Sequence, residues 1–185
     1  KDGSFIQHGN IPYTGSYGDV LINGVATLLD FLHDTTWEVT DPNVENIYKA
    51  VIDSFEPVLY KGAIMDMVSG RAISRPVGDH GRGHGILNAI INLTPSAPKE
   101  YKDYYKTLVK TMITEDTSKS YLEDIRNMKF YNIAQEIVND PNIGLRESYI
   151  LHKQFPNMDR VVHHQDKYSF GIASHSKRVG NYEAM

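Results

Sequence analysis

From Asp19 onward, apolar residues fall at Val20, Leu21, Val25, Leu28, Leu29 and Leu32, a helical spacing with one buried face. A second helix is predicted after Asp41, with Pro42 at its first position and Val44, Ile47, Val51, Ile52 and Phe55 on one stripe; Pro57 ends it. Residues 61–77 carry Gly62, Gly70 and Pro76 and read as a long, structured connection. Four more helices fit 79–93, 98–114, 118–127 and 129–138. After Gly144 the pattern changes to short β-prone runs at 148–153, 158–162 and 168–173, separated by turn residues. Helical hairpins followed by strands predict an all-α region running into a β region. Three strands alone do not close a stable β domain, so the β region is expected to be incomplete.

Residues 1–18, rich in Gly, Ser, Thr, Tyr and His, read as an ordered loop. They hold the densest set of reactive side chains: Gln7, His8, Asn10, Tyr13 and Tyr17, framed by Gly9, Gly15 and Gly18. An imidazole changes charge near neutral pH, and a phenol acts as acid or base where neighbours favour its anion. By residue type alone, a Tyr/Gly-rich structural loop explains the same residues. A second cluster is Ser69-Gly70-Arg71-Ala72-Ile73-Ser74-Arg75, followed by His80, Arg82 and His84.

Composition sharpens this picture. The chain has 185 residues and a formal charge of −4, with 41% hydrophobic and 23% charged residues, values of a globular protein. The acidity gives no basic footprint for nucleic acid. No stretch approaches the roughly 20 apolar residues that span a bilayer. Without cysteine there is no disulfide framework, thiolate metal site or catalytic thiol. Charge is unevenly placed: residues 30–56 carry a local −6, whereas 61–85 carry +2. A basic segment in an acidic chain suits recognition of a carboxylate or sulfate, or pairing of its arginines with acidic helix faces.

His80 and His84 have the separation of two metal ligands on a helix. The run His-Gly-Arg-Gly-His lacks the acid that follows the first His in zincins, and two arginines nearby oppose a cation, so no metal is expected. His163 and His164 point to opposite faces of a strand and do not share an ion. Tyr101, Tyr104, Tyr105 and Tyr131 read as packing residues, and Trp37 as the anchor of a helix junction. No nucleophile elbow or phosphate loop is present.

Asp2-Gly3-Ser4-Phe5-Ile6-Gln7-His8, followed by Pro12-Tyr13-Thr14-Gly15-Ser16-Tyr17-Gly18, resembles the signature of the family-eight polysaccharide lyases, which include hyaluronate, chondroitin AC and xanthan lyases. Trp37-Glu38-Val39-Thr40-Asp41-Pro42, Gly70-Arg71-Ala72-Ile73-Ser74-Arg75 and Asn181-Tyr182-Glu183 agree in order, so the resemblance covers the whole chain. It implies a mainly α fold, part of an incomplete α/α toroid over residues 1–145, running into the start of an antiparallel β-sandwich over 146–185. It also implies cleavage of an acidic polysaccharide, hyaluronan or chondroitin first, by β-elimination at a uronic acid to a 4,5-unsaturated product.

By motif match His8 and Tyr17 are the central pair: either His8 is base and Tyr17 acid, or Tyr17 serves as both while His8 helps to hold the carboxylate. Arg71 matches the arginine beside the catalytic tyrosine, and Glu183 a glutamate that orients the group through Arg71 or His8. Arg75, Asn10 and Tyr13 are expected to bind substrate. The resemblance calls for no metal or cofactor.

Two departures qualify it. The family's carboxylate-neutralising Asn and aromatic cleft patch precede the His motif and are expected to lie ahead of Lys1. Ser69 stands where hyaluronate lyases often carry Arg, and Val77 where xanthan lyase has Tyr, which favours a glycosaminoglycan over xanthan. The alternatives are a xanthan lyase or a non-catalytic carbohydrate-binding fragment. Both ends are expected to have been made by cutting. The expected partners are the substrate and the remaining segments of a secreted enzyme, not nucleic acid or membrane.

Overall fold

The computed structural model describes residues 2–180 and Glu183. It opens on a hairpin, β1 (Ile6–Gln7) with β2 (Ile11–Pro12), then a π-helical turn over Thr14–Gly18 leads into α1 (Asp19–Leu32). The predicted second helix is a rod of changing pitch: a 3-10 turn at Pro42–Val44, α2 (Glu45–Ala50), a π turn at Val51–Phe55 and a 3-10 turn at Glu56–Val58. Asp41 caps it, accepting from Asn43 N at 2.8 Å, with Pro42 next in line. A second hairpin follows, β3 (Leu59–Tyr60) with β4 (Ala63–Ile64), and then 3-10 turns over Asp66–Val68 and Gly70–Ser74. The helical series continues with α3 (Gly78–Leu93), α4 (Lys99–Glu115), the single turn α5 (Tyr121–Asp124) and α6 (Met128–Asn139). The chain ends in a three-stranded antiparallel sheet, β5 (Leu151–Phe155), β6 (Arg160–Gln165) and β7 (Tyr168–Ala173). Phe155 pairs with Arg160, and Gln165 with Tyr168.

α3 is the central rod. Ile86, Leu87, Ala89, Ile90, Ile91 and Leu93 are all buried, which places apolar contacts on every side of its second half. Its first half carries glycines for a steric reason. A Cβ on Gly83 would collide with the carbonyl of Gly62 in the β3–β4 turn, where Lys61 and Gly62 both have positive φ. The His-Gly-Arg-Gly-His run is therefore a helix passing close under a hairpin.

Three expectations change. The helix expected over 118–127 is only the single turn α5, with Ser120 and Ile125 extended on either side of it. α1 buries Ile22, Ala26 and Leu29, while Val20, Leu21, Leu28 and Phe31 are exposed, so the helix has more apolar surface than the described residues cover. Trp37 anchors no junction: it is 77% exposed. Both short hairpins escaped prediction because two-residue strands leave no periodicity to read.

The sheet is bolted to the helical region by polar groups on the inner face of β6. His164, buried, lies 2.7 Å from the Pro57 carbonyl through Nε2. Arg160 donates from Nε to the Met67 carbonyl at 2.8 Å. The connection between α6 and β5 carries Arg146, whose Nη1 sits 2.5 Å from the carboxylate of Glu56, a side chain with no exposure. Tyr104 Oη donates to the other oxygen of Glu56 at 2.7 Å and accepts from Arg146 Nη2 at 2.9 Å. Burial raises the Glu56 carboxyl above its ordinary range and Arg146 opposes that rise.

Removing one partner from such a pair leaves a buried uncompensated charge. Arg146→Met is expected to destabilise by about 3–5 kcal/mol in denaturant unfolding. Glu56→Gln combined with Arg146→Met should recover much of that loss. Equal losses in the single and double variants would show that Arg146 acts through packing alone.

Candidate active site

Residues 2–18 form the site wall, and each joint has a cause. Asp2 accepts from the backbone N–H of Ser4 and of Asn157, both at 3.0 Å, which moors the chain start to the turn before β6. Burial opposes ionisation of Asp2, but these backbone donors and the Ser4 hydroxyl together hold its carboxyl well below the usual carboxylate range. The β1–β2 turn presents His8 at its tip with φ +52°, left-handed backbone that a non-glycine residue adopts at a cost on the order of 1 kcal/mol. Tyr13 N donates to the Phe5 carbonyl at 2.9 Å, closing the hairpin stem. The π turn then brings Tyr17 round so that its ring centroid lies 4.7 Å from that of His8.

The second wall is the turn around Arg71. Gly70 has φ +51°, and a Cβ there would collide with the ring of Tyr13, so glycine is required by conformation and by space. The backbone N–H of Arg71 donates to Tyr13 Oη at 3.3 Å. Its guanidinium forks: Nη2 donates to Tyr17 Oη at 3.1 Å and Nη1 to Glu183 Oε1 at 2.9 Å.

Glu183 closes the cluster from the far end of the chain. His8 Nδ1 donates to its Oε1 at 2.6 Å, the tautomer that an acceptor-only carboxylate selects. Tyr13 Oη donates to Oε2. Upstream, Gly180 N donates to the Asn10 carbonyl at 2.9 Å and brings this segment against the His8 hairpin. The hydrogen bond from Tyr13, joined by those from His8 and the charge of Arg71, holds the Glu183 carboxyl below its ordinary range against some opposing burial. Burial, reinforced by Glu183, raises the Tyr13 phenol above its ordinary range, which favours the protonated form that donates to Glu183.

The structure therefore brings together five of the seven expected residues: His8, Tyr13, Tyr17, Arg71 and Glu183. Tyr13 is fully buried and meets Glu183 rather than solvent. Asn10 and Arg75 are exposed at the margins, Asn10 through its carbonyl contact and Arg75 with no ion pair among the described residues. Asn181 and Tyr182 of the third matching stretch lie outside the described residues. A cavity of about 440 Å³ opens beside the cluster, lined by Ile11, Gly70, Arg71, Ile73, Ser74 and Glu183. Sequence reading missed Arg160, whose guanidinium also reaches the carbonyls of Met158 and Ser174 and so joins the turn before Arg71 to the sheet. A buried arginine in an alternating strand leaves no signal of its own.

An imidazole and a phenol stand beside an arginine–carboxylate pair where a helical layer meets an antiparallel sheet, a set of proton-exchanging groups in the toroid-and-sandwich class of protein. Comparison with known proteins narrows that class. The model of the polysaccharide lyase family 8 N-terminal α-helical domain matches residues 1–111, and that of the family's super-sandwich domain matches residues 150–185. The chain belongs to polysaccharide lyase family 8. It is 40% identical over its whole length to xanthan lyase of Bacillus sp. (strain GL1), covering 20% of that protein. It is 34% identical to hyaluronate lyase of Thermasporomyces composti, again over the whole chain and 24% of the relative. Among solved structures, Paenibacillus xanthan lyase superposes with a TM-score of 0.96 at 38% identity, covering the whole chain and 18% of that structure. Chondroitin AC lyase of Streptomyces coelicolor A3, in complex with chondroitin sulphate, gives 0.92 at 30% identity, over the whole chain and 26% of that structure. The chain thus spans about a fifth to a quarter of the relatives it matches.

Gly70→Ala is expected to displace Tyr13 and Arg71 and to lower lyase turnover by about 100-fold, as misplacement by an ångström or so does. Gly24→Ala, in α1 with nothing within 4 Å of the added Cβ, should leave turnover unchanged and stabilise by roughly 0.5–1 kcal/mol. Steady-state kinetics and thermal melts of both variants check this; an unimpaired Gly70→Ala enzyme would show that the turn tolerates the shift.

Proposed function

We propose that this chain carries the acid–base centre of a lyase that cleaves an acidic polysaccharide by β-elimination, with hyaluronan or chondroitin as substrate. The observation that carries the proposal is the convergence of His8, Tyr17 and Arg71 around Glu183. β-Elimination removes the C5 proton of a uronic acid, expels the oxygen at C4 and leaves a 4,5 double bond. It needs a base for a weakly acidic C–H, donors for the charge that develops on the carboxylate, and an acid for the leaving oxygen.

In the assignment we adopt, His8 is the base. Glu183 holds Nδ1–H, leaves the Nε2 lone pair to take the C5 proton, and stabilises the imidazolium that forms, as the carboxylate of a catalytic triad does. Tyr17 gives its proton to the leaving oxygen, and Arg71 steadies the phenolate that results. Tyr13 is a positioning residue: it holds Glu183 and is itself held by the Arg71 backbone. Exposed Arg75 and Asn10 contact the sugar chain. The toroid portion ends near residue 145 and the sandwich begins at 146. The remaining segments of an exported enzyme complete the cleft, including groups that neutralise the uronate. No helix among the described residues is long and apolar enough to cross a membrane.

A xanthan-type substrate is the second reading, favoured by the 40% identity to a xanthan lyase, whereas Val77 favours a glycosaminoglycan. The whole protein, given hyaluronan, chondroitin and xanthan in turn, should release products with the ultraviolet absorbance of an unsaturated uronate from a glycosaminoglycan. Release from xanthan alone selects the second reading. His8→Ala and Tyr17→Phe are each expected to lower that rate by 10²–10⁴-fold or more with the fold retained. A substrate whose C4 substituent is a good leaving group should rescue Tyr17→Phe and leave His8→Ala inactive. Failure of that rescue would instead give Tyr17 both proton transfers.

A further inference from the structure

The two histidines of α3 meet a carboxylate that no sequence spacing connects to them. His80 Nδ1 lies 2.8 Å and His84 Nε2 3.1 Å from the same oxygen, Oδ2 of Asp116, at the end of α4. The three donor atoms fall within 4.8 Å of one another. Asp116 is aimed: its Oδ1 accepts from the backbone N–H of Ser118 at 3.0 Å and Lys119 at 2.9 Å, which leaves Oδ2 to face the rings. Gly62 packs against this carboxylate, and a Cβ there would collide with it. The Asp116 side chain is wholly buried and that of His84 almost so, while His80 keeps 21% exposure and with it a route to solvent.

One ring nitrogen is anomalous. His84 Nδ1 is buried without a hydrogen bond, although Asp124 Oδ2 stands 3.5 Å away. When Nε2 carries the proton for Asp116, Nδ1 has only a lone pair, which the Asp124 carboxylate cannot satisfy. When Nε2 instead binds a cation, Nδ1 carries the proton and points it at that carboxylate, the arrangement usual for metal-bound histidine. The arginine between the two histidines does not face the site. Arg82, two residues from each histidine, lies on the other side of α3 and donates to Asp66 and to the Ala72 carbonyl. Lys119 is engaged with Asp124 at 2.9 Å.

We propose that His80, His84 and Asp116 form a site for a divalent transition metal such as Zn²⁺, with a water in the fourth position and Asp124 positioning His84. Two imidazoles and one carboxylate suit a borderline ion rather than Ca²⁺ or Mg²⁺, which take oxygen ligands. With bonds of about 2.0–2.2 Å, tetrahedral ligand atoms stand about 3.3–3.5 Å apart, so Asp116 Oδ2, at 3.1 Å from His84 Nε2 and 2.8 Å from His80 Nδ1, would have to draw back a little from both rings. The ion would tie the start of α3, just after the Arg71–Arg75 turn, to the α4–α5 connection. It uses none of the residues assigned to the elimination.

The test uses the whole protein, stripped with chelator and then titrated with Zn²⁺ by calorimetry and with Co²⁺ by visible absorption. One ion should bind with the intense spectrum of a tetrahedral Co²⁺ centre, and the melting temperature should rise with Zn²⁺. His80→Gln should weaken that site by more than 100-fold, and Asp124→Asn by about 10–100-fold, as loss of a supporting carboxylate does. Should His80→Gln misfold by circular dichroism, Asp124→Asn carries the comparison. Absence of a tetrahedral Co²⁺ spectrum, or equal affinity in the wild type and whichever folded variant is compared, would overturn the proposal.

Discussion

The carboxylate of Glu183 is the contact on which the cluster of His8, Tyr13, Tyr17 and Arg71 depends. One oxygen receives His8 and Arg71, and the other receives Tyr13. Each is a hydrogen bond to an ionised acceptor, roughly twice as strong as a neutral one. Because Arg71 also reaches Tyr17, a single negative charge sets the orientation of every reactive group in the cluster. Its partners lie 112, 170 and 175 residues away in sequence, so the site exists only when the chain's two ends are brought together.

That meeting is secured by a frame of buried polar contacts. α3 runs through the middle, the Glu56–Arg146–Tyr104 cluster ties the segment leading to the sheet onto the helices, and Arg160 ties the sheet to the turn before Arg71. The backbone bond from Gly180 to Asn10 completes the circuit. These links are buried or half-buried and polar. Losing one partner costs more than the pair contributes, which makes the register of sheet against helices specific as well as stable. The strain at His8 is tolerated because this frame holds its turn from two sides.

Periodicity made the long helices legible. α3, α4 and α6 appear within a residue or so of their predicted limits, since three or more turns of apolar spacing are hard to mistake. It misjudged the side of α1 that is covered, because a stripe marks what is apolar and not what is packed against it. The motifs supplied His8, Tyr17, Arg71 and Glu183 as members of one site. The residues that support them, Tyr13 as a buried donor and Arg160 as a bolt, became visible only as contacts.

By itself the sequence determined the long helices, the change to strands, the lack of cysteine in these residues and the family to which the chain belongs. All of these are encoded in composition, short-range spacing or ordered motifs. Only the tertiary structure decided that Glu183 reaches the opening hairpin, that Arg82 turns away from the paired histidines and that Asp116 turns towards them. Spacing along a chain sets which face of an element a side chain occupies. Which face meets which is settled by packing across the whole molecule, where burial, charge pairing and glycine-sized gaps act together.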